Sequence, residues 1–202
     1  MRRLVIGLAA GILLFNSGPA TAQLQPKLFR TDDLMVVYLN EDNEYILPHL
    51  SRCFINSLNF HKALFDYEPA EDITVLLQDF DDYGYAGASS IPSNFLSIGI
   101  EPFEYVFETS PTNERINWVM SHELLHIIAM DRPAPADEKA RKFFFGKVAA
   151  IPEQPLSTLY SYLTIPRLYA PRWYHEGLAV FMETWMAGGF GRALGGYDEM
   201  VF

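Results

Sequence analysis

The sequence predicts an α+β domain, from the order of its segments and from its composition. Three segments with strand-like patterns come early in the chain, and most of the helical patterns follow them. Strands followed by helices are typical of an α+β architecture. The chain has 202 residues, of which 50% are hydrophobic and 20% charged, and this suits one globular domain with a buried core.

The predicted strands differ in pattern. LMVVYL (34–39) and ITVLL (73–77) are rich in apolar and β-branched residues, whereas FLSIGI (95–100) alternates along its length. Residues 79–94 contain glycines, a proline and small polar residues, and they predict a loop that leads into the third strand.

Four helices are predicted from apolar residues at helical spacing. The first spans 45–65, where Pro48 is tolerated only in the first turn. The second spans 113–130, between Ser-Pro-Thr (110–112) and Asp-Arg-Pro (131–133). Two more are predicted over 137–148 and, after Pro171, over 172–186.

The first 22 residues have the parts of a secretory signal peptide. Arg2 and Arg3 form a basic start, Leu4 to Phe15 is an uncharged apolar run, and Ala-Thr-Ala (20–22) offers a cleavage site. The apolar run of about 12 residues is shorter than the roughly 20 that a spanning helix needs, although an uncleaved anchor is the alternative. We predict cleavage after Ala22, a mature domain over 23–202 with no stable membrane span, and export to the periplasm or the extracellular space.

The charge of the mature chain argues against nucleic acid as a partner. Once the two arginines of the signal are removed, 13 basic residues face 25 acidic ones, a net charge of −12. Such a surface repels phosphate backbones, and no basic cluster interrupts it.

Three residues of the first helical region are predicted to have no chemical role. Cys53 is the single cysteine, so the chain forms no internal disulfide, and its apolar neighbours predict a buried, inert thiol. His49 and His61 lack ligand-like partners in the sequence, and we expect ordinary surface or core histidines.

The segment SHELLHIIAM (121–130) has the spacing of a zinc site. At about 100° per helical residue, His122 and His126 lie within roughly 40° of each other, so both imidazoles project from one side, a turn apart. Two nitrogens placed in this way reach one Zn²⁺ at about 2.0–2.1 Å. Glu123 would lie beside the ion, where a carboxylate can take a proton from the attacking water. The pattern also arises by chance, and an amphipathic helix with two imidazoles is the alternative.

A second unusual segment, PRWYHEGLAVFMETWM, spans 171–186. It places Gly177 inside a predicted helix, at a cost of about 1 kcal/mol relative to alanine. We predict that Gly177 and Ala179 let this helix approach another closely, so that Glu176 shares a metal with the facing histidines. Glu183 lies two turns further on the same face and is predicted to accept an N–H from a ligand histidine. The alternative is that Glu176 and Glu183 are solvated charges on the surface of this helix.

HELLH (122–126) and WYHEGLAVFME (173–183) together resemble the paired motifs of the gluzincin metallopeptidases of the exported bacterial type, H-E-x-x-H and W-x-x-E-G-x-A-x-x-x-E. The resemblance implies a zincin-like metallopeptidase domain, with a small N-terminal mixed sheet followed by an active-site helix and C-terminal helices. It also implies that His122, His126 and Glu176 bind Zn²⁺ and that Glu123 is the general base.

The sequence departs from that family in three ways. The interval of 50 residues between His126 and Glu176 is long and implies an inserted helix and loop. The G-x-M-E-N segment of the aminopeptidase branch is missing. The chain stops at Phe202 in an apolar run, and exported relatives of this type continue into further domains such as a β-propeller, so such a C-terminal domain is a candidate partner beyond this sequence.

Glu176 and His175 compete for the position of third ligand. Neighbouring residues of a helix point about 100° apart, so both cannot approach one metal. We predict Glu176, because a carboxylate completes the two-histidine set of the peptidases with an open fourth position. His175 would instead border the substrate cleft.

Two functions remain open. The first is zinc-dependent hydrolysis of a peptide or protein substrate, which would add a strand at an edge formed by residues 95–100. The second donor to the oxyanion is then one of five candidates, Tyr160, Tyr162, Tyr169, Tyr174 and His175. The alternative is a non-catalytic, zinc-stapled peptide-binding module. The presence of Glu123 favours the enzyme, because a structural zinc has no use for a base.

Overall fold

The computed structural model describes residues 25–79, 85–101, 114–186, 188 and 193. These residues contain one mixed sheet of five strands. The strands are β1 (Lys27–Arg30), β2 (Leu34–Tyr38), β3 (Ile73–Gln78), β4 (Ala86–Ser89) and β5 (Phe95–Gly99). Their order in the sheet is β1-β2-β3-β5-β4. The three central strands are parallel, and β1 and β4 pair antiparallel at the two edges.

Within the described residues, five α-helices accompany the sheet. They are α1 (Leu47–Phe65), α2 (Arg115–Asp131), α3 (Pro135–Phe144), α4 (Pro155–Thr164) and α5 (Arg172–Met186). A 3-10 helix over Glu41–Ile46 precedes α1, and another over Pro166–Tyr169 precedes α5. Because α2 packs against both α1 and α5, it is the central helix of the domain.

The core lies between the sheet and the helices α1 and α2. Side chains at every second position of β2 and β3 are buried, as expected for strands with one covered face. Val36 and Val75 belong to the same apolar cluster as Phe54 of α1 and Leu124 of α2. The sheet therefore supports α2 from one side, while α5 covers it from another.

The predicted α+β class is confirmed, and β2, β3 and β5 correspond to the three predicted strands. Two short edge strands, β1 and β4, were not predicted. β4 lies inside the segment predicted as a loop, because Ala-Gly-Ala-Ser has no β-branched residue and becomes a strand only by pairing with β5. The prediction that residues 95–100 form an edge is wrong, because β5 lies between β3 and β4.

The helix predictions differ in accuracy. The helix over 172–186 is confirmed residue for residue, and Pro48 lies in the first turn of α1 as predicted. α3 is displaced from the predicted 137–148, because the Asp137 carboxylate accepts the Ala134 N–H at 2.8 Å and Phe145 ends the helix in the left-handed region with φ 60°. The insertion between the two motifs contains α4 and a 3-10 helix in addition to α3.

Several predictions fall on residues that the structure does not describe. They are the signal peptide (1–22), the residues expected to introduce α2 (110–112) and the apolar end of the chain (200–202). Within the described ranges, no helix has the length and apolar character needed to cross a membrane.

Candidate metal centre

Both ends of α2 are fixed by side chains. At the start, Glu114 accepts hydrogen bonds from the backbone N–H groups of Ile116 at 3.0 Å and Asn117 at 2.8 Å, which satisfies two of the donors that a helix leaves unpaired at its beginning. Between these ends His122, Glu123 and His126 are all buried.

At the other end, the buried Asp131 carboxylate accepts hydrogen bonds from four side chains. The donors are Tyr67 at 2.8 Å and Asn94, Arg141 and Lys147, each at 3.1 Å. Burial acts to raise the pKa of Asp131, but the charge of Lys147 and these hydrogen bonds outweigh it and lower the pKa below the usual range. The network ties the inserted segment to the end of α2 and to the sheet.

Three donor atoms from α2 and α5 converge on one point. The Nε2 atoms of His122 and His126 lie 3.1 Å apart, and Glu176 Oε2 lies 3.5 Å from the first and 3.7 Å from the second. Donors around a tetrahedral zinc with bonds of about 2.0–2.2 Å are separated by about 3.3–3.5 Å. The structure therefore brings together the three predicted ligands at separations that suit one small cation.

The packing of α5 on α2 explains why Glu176 reaches the histidines. Ala179 and Met182 are buried against Leu125, which turns the face of α5 that carries Glu176 toward α2. Gly177 does not have the predicted role. It is exposed, and a Cβ added there would meet no atom within 4 Å, so the prediction that Gly177 permits the close approach is wrong.

Glu183 lies behind His122. Its side chain is fully buried, and its Oε2 is 2.8 Å from His122 Nδ1. Because an ionised carboxylate only accepts, Nδ1 carries a proton, which leaves Nε2 as the ring atom that faces Glu176 and His126. This contact is the one predicted for Glu183.

The carboxylates make the centre favourable for positive charge. Burial acts to lower the pKa of His122, but hydrogen bonds to Glu176 and Glu183 outweigh it and raise that pKa to about 9. In turn, the hydrogen bond from His122 lowers the pKa of Glu176 to about 2. The site therefore stabilises a positive charge between Glu176 and Glu183.

Glu123 and His175 border the converging donors. Glu123 is buried next to His122, and its charge contributes to the raised pKa of that histidine. The ring of His175 lies 6.5 Å from that of His126, between centroids. Both ring nitrogens of His175 are buried, and neither has a hydrogen-bond partner among the described residues. Glu176, and not His175, contributes the third converging atom.

His61 of α1 supports the helix turn that carries the first histidine. It is fully buried, as expected for a core histidine, and its Nε2 lies 3.0 Å from the Ser121 carbonyl oxygen, to which it donates. Burial lowers the pKa of His61 to about 4, so the ring is neutral at pH 7.

A second group of donors went unrecognised in the sequence. His49 Nε2 lies 3.0 Å from Glu114 Oε2 and 3.6 Å from Cys53 Sγ. The prediction that His49 has no ligand-like partners is therefore wrong, whereas Cys53 is buried as predicted. The spacing of four between His49 and Cys53, the same as between His122 and His126, was a signal in the sequence. Glu114 lies 61 residues after Cys53, and no local pattern connects it to them.

Two comparisons with known proteins were made. No protein-family model matches the chain, and a search of curated proteins finds no match. The functional argument therefore rests on the residues and their geometry.

Proposed function

We propose that this chain is an exported zinc-dependent peptide hydrolase with a zincin-like fold of the gluzincin type. The convergence of His122, His126 and Glu176 carries the proposal, with donor separations of 3.1, 3.5 and 3.7 Å. Two imidazole nitrogens and one carboxylate oxygen are the protein ligands typical of hydrolytic zinc sites, in which the fourth position stays open to water or substrate.

The residues around the donors suit hydrolysis better than a purely structural ion. When bound, zinc supplies an acidified water and polarises the scissile carbonyl. Glu123 takes the proton of the attacking water and later passes it to the leaving amine. Glu183 holds the His122 ring in the tautomer that binds metal, as its contact with Nδ1 indicates.

His175 is the best candidate for the second donor to the oxyanion. Among the five residues considered from sequence, it is the one whose ring lies beside a proposed ligand, 6.5 Å from His126. Its two ring nitrogens are buried without a hydrogen-bond partner in the described residues, and a substrate oxygen brought within hydrogen-bond reach would satisfy one of them.

The edge strand β4 is the best candidate to hold an extended substrate. It packs beside α2, the helix that carries His122 and His126. Among the described strands none pairs with the outer side of β4, and its residues are small. A peptide would add there as a further antiparallel or parallel strand.

The decisive experiment compares wild type with Glu123→Gln, a change that removes the base and preserves the size of the side chain. We expect both proteins to bind the same amount of zinc and only wild type to cleave casein and peptides, with a loss of at least about 10²-fold in kcat/KM for the variant. Zinc content is measured by elemental analysis and cleavage by mass spectrometry of a peptide library.

Glu138→Gln, an identical exchange at an exposed position of α3, is the matched control and should cleave like wild type. If wild type binds zinc and cleaves nothing in the library, the chain is instead a zinc-stapled peptide-binding module and the hydrolase proposal fails.

A further inference from the structure

The group formed by His49, Cys53 and Glu114 has the geometry of a metal site, at the opposite end of the α1–α2 contact from His61. Cys53 Sγ lies 3.6 Å from His49 Nε2 and 3.9 Å from Glu114 Oε2, and the nitrogen and oxygen lie 3.0 Å apart. Three different donor types from two helices thus point at one small volume.

These separations can be compared with those around an ion. In a tetrahedral zinc site with bonds of about 2.3 Å to sulfur and about 2.0–2.2 Å to nitrogen and oxygen, sulfur lies about 3.6 Å from the other donors, and nitrogen lies about 3.4 Å from oxygen. The observed distances depart from these values by a few tenths of an ångström. Small movements of two partly exposed side chains would close the difference.

Solvent can reach the group from one side. Cys53 is buried, whereas the side chains of His49 and Glu114 are 39% and 49% exposed. The sulfur therefore lies at the bottom and the two harder donors at the rim, which leaves an entry path for an ion and a fourth position that faces solvent.

We propose that His49, Cys53 and Glu114 form a second metal site, for a borderline-soft divalent cation such as Zn²⁺. A thiolate with an imidazole selects such ions over Mg²⁺ or Ca²⁺, which prefer oxygen ligands. The site is independent of the proposed peptidase function, because it shares no residue with the first centre.

Binding at this site exchanges a proton for the ion. Burial and the nearby Glu114 raise the pKa of the Cys53 thiol to about 11, so the sulfur is protonated until a cation arrives. The S–H bond breaks as the bond between sulfur and metal forms, and the proton leaves to solvent. His49 contributes Nε2 as the nitrogen donor. The bound ion would join α1 to the first turn of α2 and stabilise the helix pair that also supports the first centre.

Cobalt(II) separates the two sites by spectroscopy. Cys53 is the single cysteine, and the first centre contains no sulfur, so thiolate-to-cobalt charge-transfer absorption in the near ultraviolet reports only the second site. The full chain is stripped with a chelator under reducing conditions and titrated with Co²⁺ alone. We expect wild type and His122→Ala to show the absorption, and Cys53→Ser to lose it while keeping its circular dichroism spectrum.

His49→Gln provides an independent check, because it removes a half-exposed ligand without touching the core. It should weaken Co²⁺ binding, followed through the same absorption, at least about 10-fold. The proposal is overturned if wild type saturated with Co²⁺ shows no thiolate-to-cobalt absorption, or if His49→Gln binds Co²⁺ through Cys53 as tightly as wild type. The His122→Ala arm keeps this result separate from peptidase activity, because that variant lacks a proposed zinc ligand of the first centre.

Discussion

Both donor groups include residues of α2 or of its N-cap, and they differ in their surroundings. The first centre is at the middle of α2, where His122 and His126 are buried and two further carboxylates, Glu123 and Glu183, are also buried close by. The second group is at the start of α2, half-exposed. Among the contacts described for this second group, none places a further carboxylate beside the donors that could serve as a general base. The difference teaches that convergent ligands alone do not support a proposal of catalysis, and that the buried carboxylates around the first group supply the further support.

The two groups also differ in how their carboxylate ligand is held. Glu176 reaches the histidines from α5 and is itself approached by Arg172, with 3.6 Å between Nε and Oε1. Glu114 accepts two backbone N–H groups and therefore takes part in starting α2. Loss of Glu114 should therefore weaken the start of α2, whereas loss of Glu176 removes an ion pair with the buried His122.

The largest effect is expected for the third ligand of the first centre. Glu176→Ala removes a converging oxygen and should weaken zinc binding by more than the 10- to 100-fold that is typical of an outer partner. His175→Ala should change it by less than about threefold. Affinity is measured by competition with a chromogenic chelator in a Cys53→Ser background, so that only one group binds. A larger loss for His175→Ala would reverse the assignment of the ligand.

Glu183→Gln should have the next largest effect. The amide oxygen can still accept the His122 Nδ1 proton, but the buried charge behind the ring is gone, so the ligand becomes less basic. We expect zinc affinity to fall about 10- to 100-fold in the same competition assay. Glu153→Gln, an exposed exchange of the same kind, should leave affinity unchanged. Equal affinities for Glu183→Gln and wild type would mean that Glu183 only fills space.

A third prediction concerns the α1–α2 contact that supports both groups. His61 has a pKa of about 4 in the folded protein and about 6.5 when unfolded, so protons bind more readily to the unfolded chain. Its contribution to stability is complete above pH 6.5 and is lost as the pH falls toward 4. Between pH 7 and pH 5 this amounts to about 2 kcal/mol.

The measurement is urea unfolding of wild type and His61→Gln at both pH values, with chelator present. His122 titrates in both proteins, so its contribution cancels in the difference between their free energies of unfolding. Asp131 affects stability only below about pH 3.8, the pKa of an aspartate in the unfolded chain. The stability advantage of wild type should shrink by about 2 kcal/mol on acidification. A constant advantage would show that His61 does not titrate in this range.

The sequence was informative where a local pattern decides structure. Pro171 and the apolar spacing that follows it defined α5, and the four-residue spacing placed His122 and His126 on one face. That Glu176 joins them depends on Ala179 packing against Leu125, a tertiary contact that the small residue at 179 and the motif resemblance both anticipated. The role of Gly177 was misjudged, since a glycine in a helix does not reveal whether a neighbour lies beside it.

Features built by distant partners escaped prediction. β4 exists because β5 offers it hydrogen bonds, and its four small residues have no strand propensity of their own. Glu114 joins His49 and Cys53 because α1 and α2 pack side by side, across a gap of 61 residues from Cys53. In both cases the chain brings together residues whose local sequences contain no trace of the pairing.

The smallest expected effect separates the two roles of Glu114. Without metal, Glu114→Ala should lower the free energy of unfolding by about 1 kcal/mol, because two N–H groups at the start of α2 lose their acceptor. Glu176→Ala removes no helix cap and instead loses the ion pair with the buried His122. Glu114→Asp preserves an acceptor that favours helix starts but is one methylene shorter, so it should keep the stability and withdraw the oxygen from His49 and Cys53. Urea unfolding combined with Co²⁺ titration of these variants tests the distinction. If Glu114→Asp retains full Co²⁺ affinity, the Glu114 carboxylate serves only as a helix cap. The second donor group would then not be a metal site.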